Sequence, residues 1–296
     1  GGQPVWTPAN YAALTKEGFN RNAYVFACVD KLSKACAGID WILYRKGRNG
    51  ELIELYEHPL LDLMERPNPW QGQSRFIESI VGYFMISGNS YVERVGPQSG
   101  PPRELYTLRP DRMRVITGNA HEPVAGYTYE VANNKINFKA NEILHLKAFN
   151  PLNDWYGLSP LEIAARSLDQ NNASRAWNVG LLQNGARPSG ALISQHPLPD
   201  DEFERLQEQI NSKYVGAHNV GRPMILEGGL DWKEMGLSPQ DMNWLEGARL
   251  SARELAIVLG VPPEMIGDSA NKTYSNYQEA RKAFYQETVL PKMDFI

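Results

Sequence analysis

One long helix with a legible start and stop constrains this chain more than any other feature. Its start reads Tyr156-Gly157-Leu158-Ser159-Pro160-Leu161-Glu162. Ser159 suits the cap, Pro160 the first helical position, and Glu162 the third residue after the cap, the spacing of a capping box. No proline follows until Pro188, and Asn184-Gly185-Ala186-Arg187-Pro188-Ser189-Gly190 supplies the stop. The helix predicted between them runs for roughly 25 residues, about 37 Å, well beyond the average for a globular domain. Leu161, Ala164, Ala165, Leu168 and Ala176 form a thin apolar stripe, and Asp169, Gln170, Asn171, Asn172, Ser174 and Asn178 cover much of the rest. A helix so patterned buries little within its own monomer. It fits side-by-side packing against copies of itself, or a bridge between domains, with an ordinary surface helix as the plain alternative.

Breakers and caps divide the remainder. Residues 1–20, with Pro4, Pro8 and Gly18, read as an extended arm. Residues 21–155 read as an α+β domain. Its helices are Tyr24–Ala37 capped by Asn22, His58–Glu65, and Ser74–Ser87 capped by Ser74 and ended by Gly88. Short strands are expected at 41–44, 90–95, 104–109, 112–117, 126–131 and 142–146. After the long helix (156–186) comes a small β-α-β-β module over 187–238: strand 190–194, helix 199–215 with Asp200, Asp201 and Glu202 at its N-terminus, then strands 224–226 and 230–235. A second long helix starts at Ser238-Pro239 and occupies 239–260. A loop, 261–273, follows, with Gly260 and Gly267 as hinges around Val261-Pro262-Pro263. A third helix, 274–296, has Pro291 as its candidate kink. The chain opens Gly1-Gly2-Gln3-Pro4 without Met and closes inside a helical pattern, so further elements are expected at both ends.

Bulk numbers exclude several classes. The 296 residues are 42% hydrophobic and 22% charged, an ordinary globular composition. The net charge of −4 argues against static nucleic-acid binding through a basic surface. Residues 160–296 hold 13 Lys+Arg against 18 Asp+Glu, and residues 1–159 hold 17 against 16, so the acidity lies in the second half. No apolar run approaches the roughly 20 residues of a membrane span. Cys28 and Cys36, eight apart on one predicted helix, are too distant for a disulfide and wrongly spaced for zinc. They read as small buried residues of a reducing compartment.

The search for chemistry finds no catalytic constellation. None of the histidines, His58, His121, His145, His196 and His218, lies in a metal-protease pattern. His145 reads as a structural strand residue and His58 as a helix cap. No phosphate-binding loop of the Gly-x-x-x-x-Gly-Lys type is present. Gly96-Pro97-Gln98-Ser99-Gly100 places its serine one position late for a nucleophile elbow and reads as a hairpin loop. No cofactor or metal is expected.

An ordered set of short stretches nevertheless resembles one family. The set comprises His58-Pro59-Leu60-Leu61, Arg66-Pro67-Asn68-Pro69, Gly88-Asn89-Ser90-Tyr91, Leu105 to Asp111, Tyr156 to Leu161, Asn184 to Gly190, Gly221-Arg222-Pro223, Leu226 to Lys233, Gly260-Val261-Pro262-Pro263 and Thr273-Tyr274-Ser275-Asn276. It is similar to the Hong Kong 97-like portal proteins of tailed double-stranded DNA phages, prophages and gene transfer agents. The resemblance implies a multi-domain α+β portal fold: wing (21–155), first stem helix (156–186), clip (187–238), second stem helix (239–260), tunnel loop (261–273), and a helix (274–296) leading to a crown that would lie beyond Ile296.

The implied role is a ring, typically of twelve subunits, at a capsid vertex, assembled in the bacterial host cytoplasm. Such a ring passes double-stranded DNA without sequence specificity and docks the terminase large subunit, a head-completion adaptor, and capsid and scaffold proteins, with no membrane partner. Its stem contacts would use Leu161, Ala165, Leu168, Asn172 and Ala176. Its DNA-facing loop would use Val261, Pro262, Glu264, Met265, Ile266, Asp268 and Lys272. Its clip would dock through Arg187, Asp200, Asp201, Glu204, Arg222 and Trp232. Two other readings stay open on sequence: an enzyme with no recognisable motif, and a ring-forming connector that is not a portal.

Overall fold

The computed structural model describes residues 6–97, 99–132, 134–183, 190–194, 199–213, 230–234, 244–267 and 274–296. The chain divides into two compact units, one of residues 1–169 with 252–296, the other of residues 170–251.

The first unit is built on two helices of strongly apolar sequence that pack together. Helix α2 (Ala23–Ala37) buries Val25, Cys28, Val29, Leu32 and Cys36, and helix α4 (Gln73–Ser87) buries Phe76, Ile77, Ile80, Val81, Phe84 and Met85. The spacing of three and four residues makes one continuous apolar face on each. Asn22 caps α2 through bonds from Tyr24 N and Val25 N. Helix α3 (Pro59–Glu65) is capped by His58, whose Nδ1 accepts from Leu60 N. Helix α4 departs from the sequence expectation: Gly72, in extended conformation, is the cap, and Ser74 lies inside the first turn.

Within the arm expected over residues 1–20, residues 11–19 are helical. Asn10 caps α1 (Tyr11–Leu14) by accepting from Ala13 N, and a wider π turn continues through Thr15–Phe19. Leu14 is buried in the core, with Tyr11 and Phe19 packed against it. That burial outweighs the local breakers at Pro8 and Gly18.

Two three-stranded antiparallel sheets follow. Strands β3 (Asn89–Val95), β4 (Glu104–Leu108) and β8 (Ile143–Lys147) form one in the order β4-β3-β8. Strands β5 (Met113–Thr117), β6 (Val124–Val131) and β7 (Asn134–Lys139) form the other. Tyr91, Leu108, Met113, Tyr127 and Ile143 make a second, smaller core shared by the two sheets. A separate hairpin, β1 (Leu43–Lys46) with β2 (Leu52–Leu55), turns at Gly47–Gly50.

The long helix begins as α5 (Pro160–Ile163), loosens at Ala164, and resumes as α6 (Ala165–Gln183). Helix α8 (Trp244–Val258) is the second long helix; its expected Ser238-Pro239 start lies outside the described residues. The final helix is one helical path in three parts: α9 (Tyr274–Ala283), a π segment (Phe284–Val289) and α10 (Leu290–Phe295). The π segment ends at Val289, two residues before Pro291, whose missing N–H and ring are what a regular α-helix would not tolerate.

In the second unit, strand β9 (Gly190–Ser194) pairs antiparallel with β10 (Leu230–Glu234), and helix α7 (Asp200–Lys213) lies between them in sequence. The strand expected at 224–226 lies outside the described residues. The fold class is α+β, as read from the sequence.

Candidate functional site

The start of the long helix is a node where distant motifs meet. Ser159 is buried; its Oγ accepts from Glu162 N at 3.1 Å and donates to Ile86 O at 2.6 Å. Tyr156 Oη accepts from Val115 N at 2.9 Å, fixing the turn to strand β5. Gly157 N donates to Asn89 Oδ1 at 2.7 Å, and Asn89 Nδ2 donates to Ser87 O and Gly157 O. Gly88 lies in the left-handed region at φ 72°, and a Cβ there would sit 2.5 Å from the Leu158 carbonyl. The two stretches Gly88–Tyr91 and Tyr156–Ser159, read separately in the sequence, are therefore one interlocked contact.

His145 completes the node. Its Nε2 lies 3.0 Å from Asn89 Oδ1, and its ring stacks on Tyr91 at 4.2 Å. Oδ1 only accepts, so Nε2 carries the proton. Burial, with a smaller contribution from the Lys147 charge, pushes its pKa down to about 4. The ring is neutral at pH 7 and acts as a structural strut, as the sequence suggested. A cavity of about 450 Å³ opens beside the node between Asn10, Tyr11, Arg114, Tyr156 and Glu162. Its two serine hydroxyls, Ser87 and Ser159, donate to backbone carbonyls, so neither is aligned as a nucleophile.

A similar knot explains Arg66–Pro69. Asn68 is buried; its Oδ1 accepts from Trp70 N and Gln71 N while Nδ2 reaches Leu105 O at 2.8 Å. Leu105 N in turn donates to Pro67 O.

The stem residues divide into inner and outer positions. Leu161 and Leu168 are 0% exposed and belong to the first unit's own core. This corrects the expectation that they face a neighbouring subunit: their methyls are already packed inside the chain, near Gly18 among others. Ala165 and Asn172 are half-buried, and Ala176 is exposed. Outward apolar residues on the first unit's share of the long helices include Ile163, 61% exposed, and Ile257, 68% exposed.

Polar residues hold the helices instead. Ser167 Oγ donates to Glu254 Oε2 at 2.5 Å in the first unit. In the second, buried Asn171 donates to Ser251 Oγ at 3.1 Å and Ala248 O at 3.3 Å. The sequence reading placed Asn171 and Ser174 on the polar exterior; both are buried. Asp169 accepts from Thr7 N at 2.8 Å and Thr7 Oγ1 at 2.5 Å, which ties the N-terminal segment to the helix.

Around the expected loop, Gly260 adopts φ 71° and Thr288 Oγ1 donates to its carbonyl at 2.9 Å. Val261 is buried in the core, which corrects its assignment as a channel-facing residue: it anchors the loop. Pro263–Ile266 form a short 3-10 turn, leaving Pro262, Glu264, Met265 and Ile266 half-buried, with Met265 and Ile266 packed against the core. Asp268 and Lys272 lie outside the described residues. In the small module, Asp201 and Glu204 are exposed on the first turns of α7, which begins at Asp200. Trp232 sits opposite Leu192 in the β9–β10 pair, and Arg187 and Arg222 lie outside the described residues. Among the described residues no group of His, Cys, Asp and Glu side chains is placed to hold a metal ion, and no helix is long and apolar enough to cross a membrane.

Residues 23–296 match the family model for phage portal proteins. The chain belongs to the phage portal protein family. An uncharacterized protein of Rickettsia bellii (strain RML369-C) is 37% identical over 289 residues, covering 95% of this chain and 73% of that protein. The portal protein of Enterobacteria phage HK97 is 27% identical over 287 residues, covering 95% of this chain and 66% of its own. Among solved structures, a chain in the neck of a native gene transfer agent particle, computed with C12 symmetry, is 42% identical with a TM-score of 0.70, covering 99% of this chain and 79% of that one. The interlocked turns at Asn68, Asn89 and Gly157 are thus the local chemistry behind stretches that resemble the portal family in sequence.

Proposed function

We propose that this chain is the portal subunit of a capsid, a ring of about twelve copies at one vertex through which double-stranded DNA enters and leaves. The observation that carries this is the 42% identity, over nearly the whole chain, to a protein in a particle neck with C12 symmetry. Cyclic symmetry requires heterologous contacts, one face of each copy meeting a different face of the next. Helices α5, α6 and α8 supply candidate contacts through outward residues, with Ile163, Ala176 and Ile257 in place of the buried leucines.

In this reading the 261–273 segment faces the channel. Val261 and the Gly260–Thr288 bond hold its base, while Pro262, Glu264, Met265 and Ile266, with Asp268 and Lys272, present the surface that DNA passes. Apolar contacts suit that task because they form no fixed ion pair with phosphate. The 187–238 module, with Arg187, Asp200, Asp201, Glu204, Arg222 and Trp232, is the docking point for the terminase large subunit and the head-completion adaptor.

Native mass spectrometry of the purified protein tests the reading. A closed ring near twelve subunits is expected, with neighbouring ring sizes as minor species. A strict monomer at assembly concentrations overturns it.

A further inference from the structure

The β1–β2 hairpin is a part of the first unit whose surface the fold does not account for. It is a two-stranded sheet, and neither strand pairs with any other described strand. Isolated two-stranded ribbons are marginal in water. Its side chains are also unusually apolar for an exposed ribbon: Leu52 is 67% exposed and Tyr56 80%, with Ile42, Tyr44 and Ile53 exposed beside them.

The charges are sorted by strand. Arg45, Lys46 and Arg48 lie on the β1 side, and Glu51, Glu54 and Glu57 on the β2 side, all exposed. The register sets Arg45 opposite Ile53 and Lys46 opposite Leu52, so neither strand cation faces a carboxylate directly across the hairpin. Charged edges ordinarily keep strands from pairing with other chains. That device needs the same sign on both edges, and here the two edges are opposite.

The sorting also selects a symmetry. A two-fold pair would set β1 against β1 or β2 against β2, like charge on like. Pairing the β1 edge of one copy with the β2 edge of another sets basic against acidic, keeps the strands antiparallel, and leaves the pair with one free edge of each kind. Such a contact is heterologous and propagates around a ring. We propose that the hairpin of each copy adds edge-on to the hairpin of the next, so that a second copy of this chain covers it and the hairpins form a β-collar clasping neighbouring subunits. This rests on the ring reading above.

Charge-reversal variants test it, with particle mass as the readout. R45E/K46E/R48E makes both edges acidic, and E51K/E54K/E57K makes both basic. Each alone is expected to need about tenfold more protein to form rings, three surface pairs being lost per interface. An equimolar mixture of the two is expected to restore assembly by alternating, and the six-fold exchange in one chain to restore it alone. Neither hairpin strand contributes to the two buried cores, so melting of the variants is expected to match the parent. Rings at parental concentration in both triple variants, or lost rings that neither the mixture nor the six-fold exchange recovers, overturn the clasp alone. A parent chain that never forms rings overturns the ring reading and the clasp with it.

Discussion

Asn89 and Gly157, 68 residues apart, are joined by a 2.7 Å hydrogen bond from Gly157 N to Asn89 Oδ1, and the same side chain bonds Ser87 O and lies 3.0 Å from His145 Nε2. One buried amide thus joins the end of α4, strand β8 and the turn that launches the long helix. Replacing it with alanine strands the buried Gly157 N–H and removes the partner of His145. Asn89→Ala is expected to destabilise the chain by about 2–4 kcal/mol, measured by urea unfolding. An effect below about 0.5 kcal/mol would show that the node does not hold the helix entry.

The depressed pKa of His145 makes part of the stability depend on pH. The unfolded ring titrates near 6.5 and the folded one near 4. The unfolded state therefore binds more protons between those values, and stability falls as pH drops from about 6.5 to about 4. Above pH 6.5 the full contribution is present. Its ceiling is about 3 kcal/mol, lowered because the ring is not fully buried. His145→Gln keeps a donor for Asn89 without the titration. Unfolding free energies at pH 7.5 and 4.5 are expected to differ less in that variant than in the parent; an equal difference in both would remove His145 as the source.

Caps and breakers made much of the first unit legible from sequence. Asn22, His58 and Ser159 cap the helices they precede because capping is a local bond over two or three residues. Local reasoning failed where tertiary burial decides. The α1 helix depends on Leu14 entering the core, and strands β2 and β7 exist only by pairing with β1 and β6. The long helix misled for the same reason. Its buried face mixes Leu161 and Leu168 with Asn171 and Ser174, and nothing in its own sequence shows that Ser251 waits across from Asn171.

That mixture yields a contrast between inner and outer positions. Leu168→Ala removes a fully buried side chain and is expected to cost about 2–5 kcal/mol of folding stability. Leu168→Glu buries a carboxylate beside Leu161 and Gly18 and is expected to leave little folded monomer. Ile163→Glu and Ile257→Glu, on exposed positions, are expected to change monomer stability by about 0.5 kcal/mol or less while reducing ring yield. Thermal melting with native mass spectrometry separates the two effects. Intact rings in both isoleucine variants would remove these two positions from the subunit interface.

The Gly260–Thr288 contact determines how firmly the following loop is anchored. At φ 71° a side chain is strained, and a Cβ would approach Thr288 Cγ2 at 2.9 Å. Gly260→Ala is therefore expected to lose about 1–2 kcal/mol. Thr288→Val preserves shape but deletes the 2.9 Å bond to the Gly260 carbonyl, for an expected loss of about 1 kcal/mol. Because both changes act on one contact, their effects are expected to be less than additive in the double variant. Val261, buried directly after the glycine, transmits the change to the 3-10 turn of Pro263–Ile266. Amide hydrogen exchange over residues 261–267 is expected to accelerate in either variant while α2 and α4 keep their protection. Acceleration spread evenly over the whole first unit would instead show global destabilisation and no separate anchoring role for the pair.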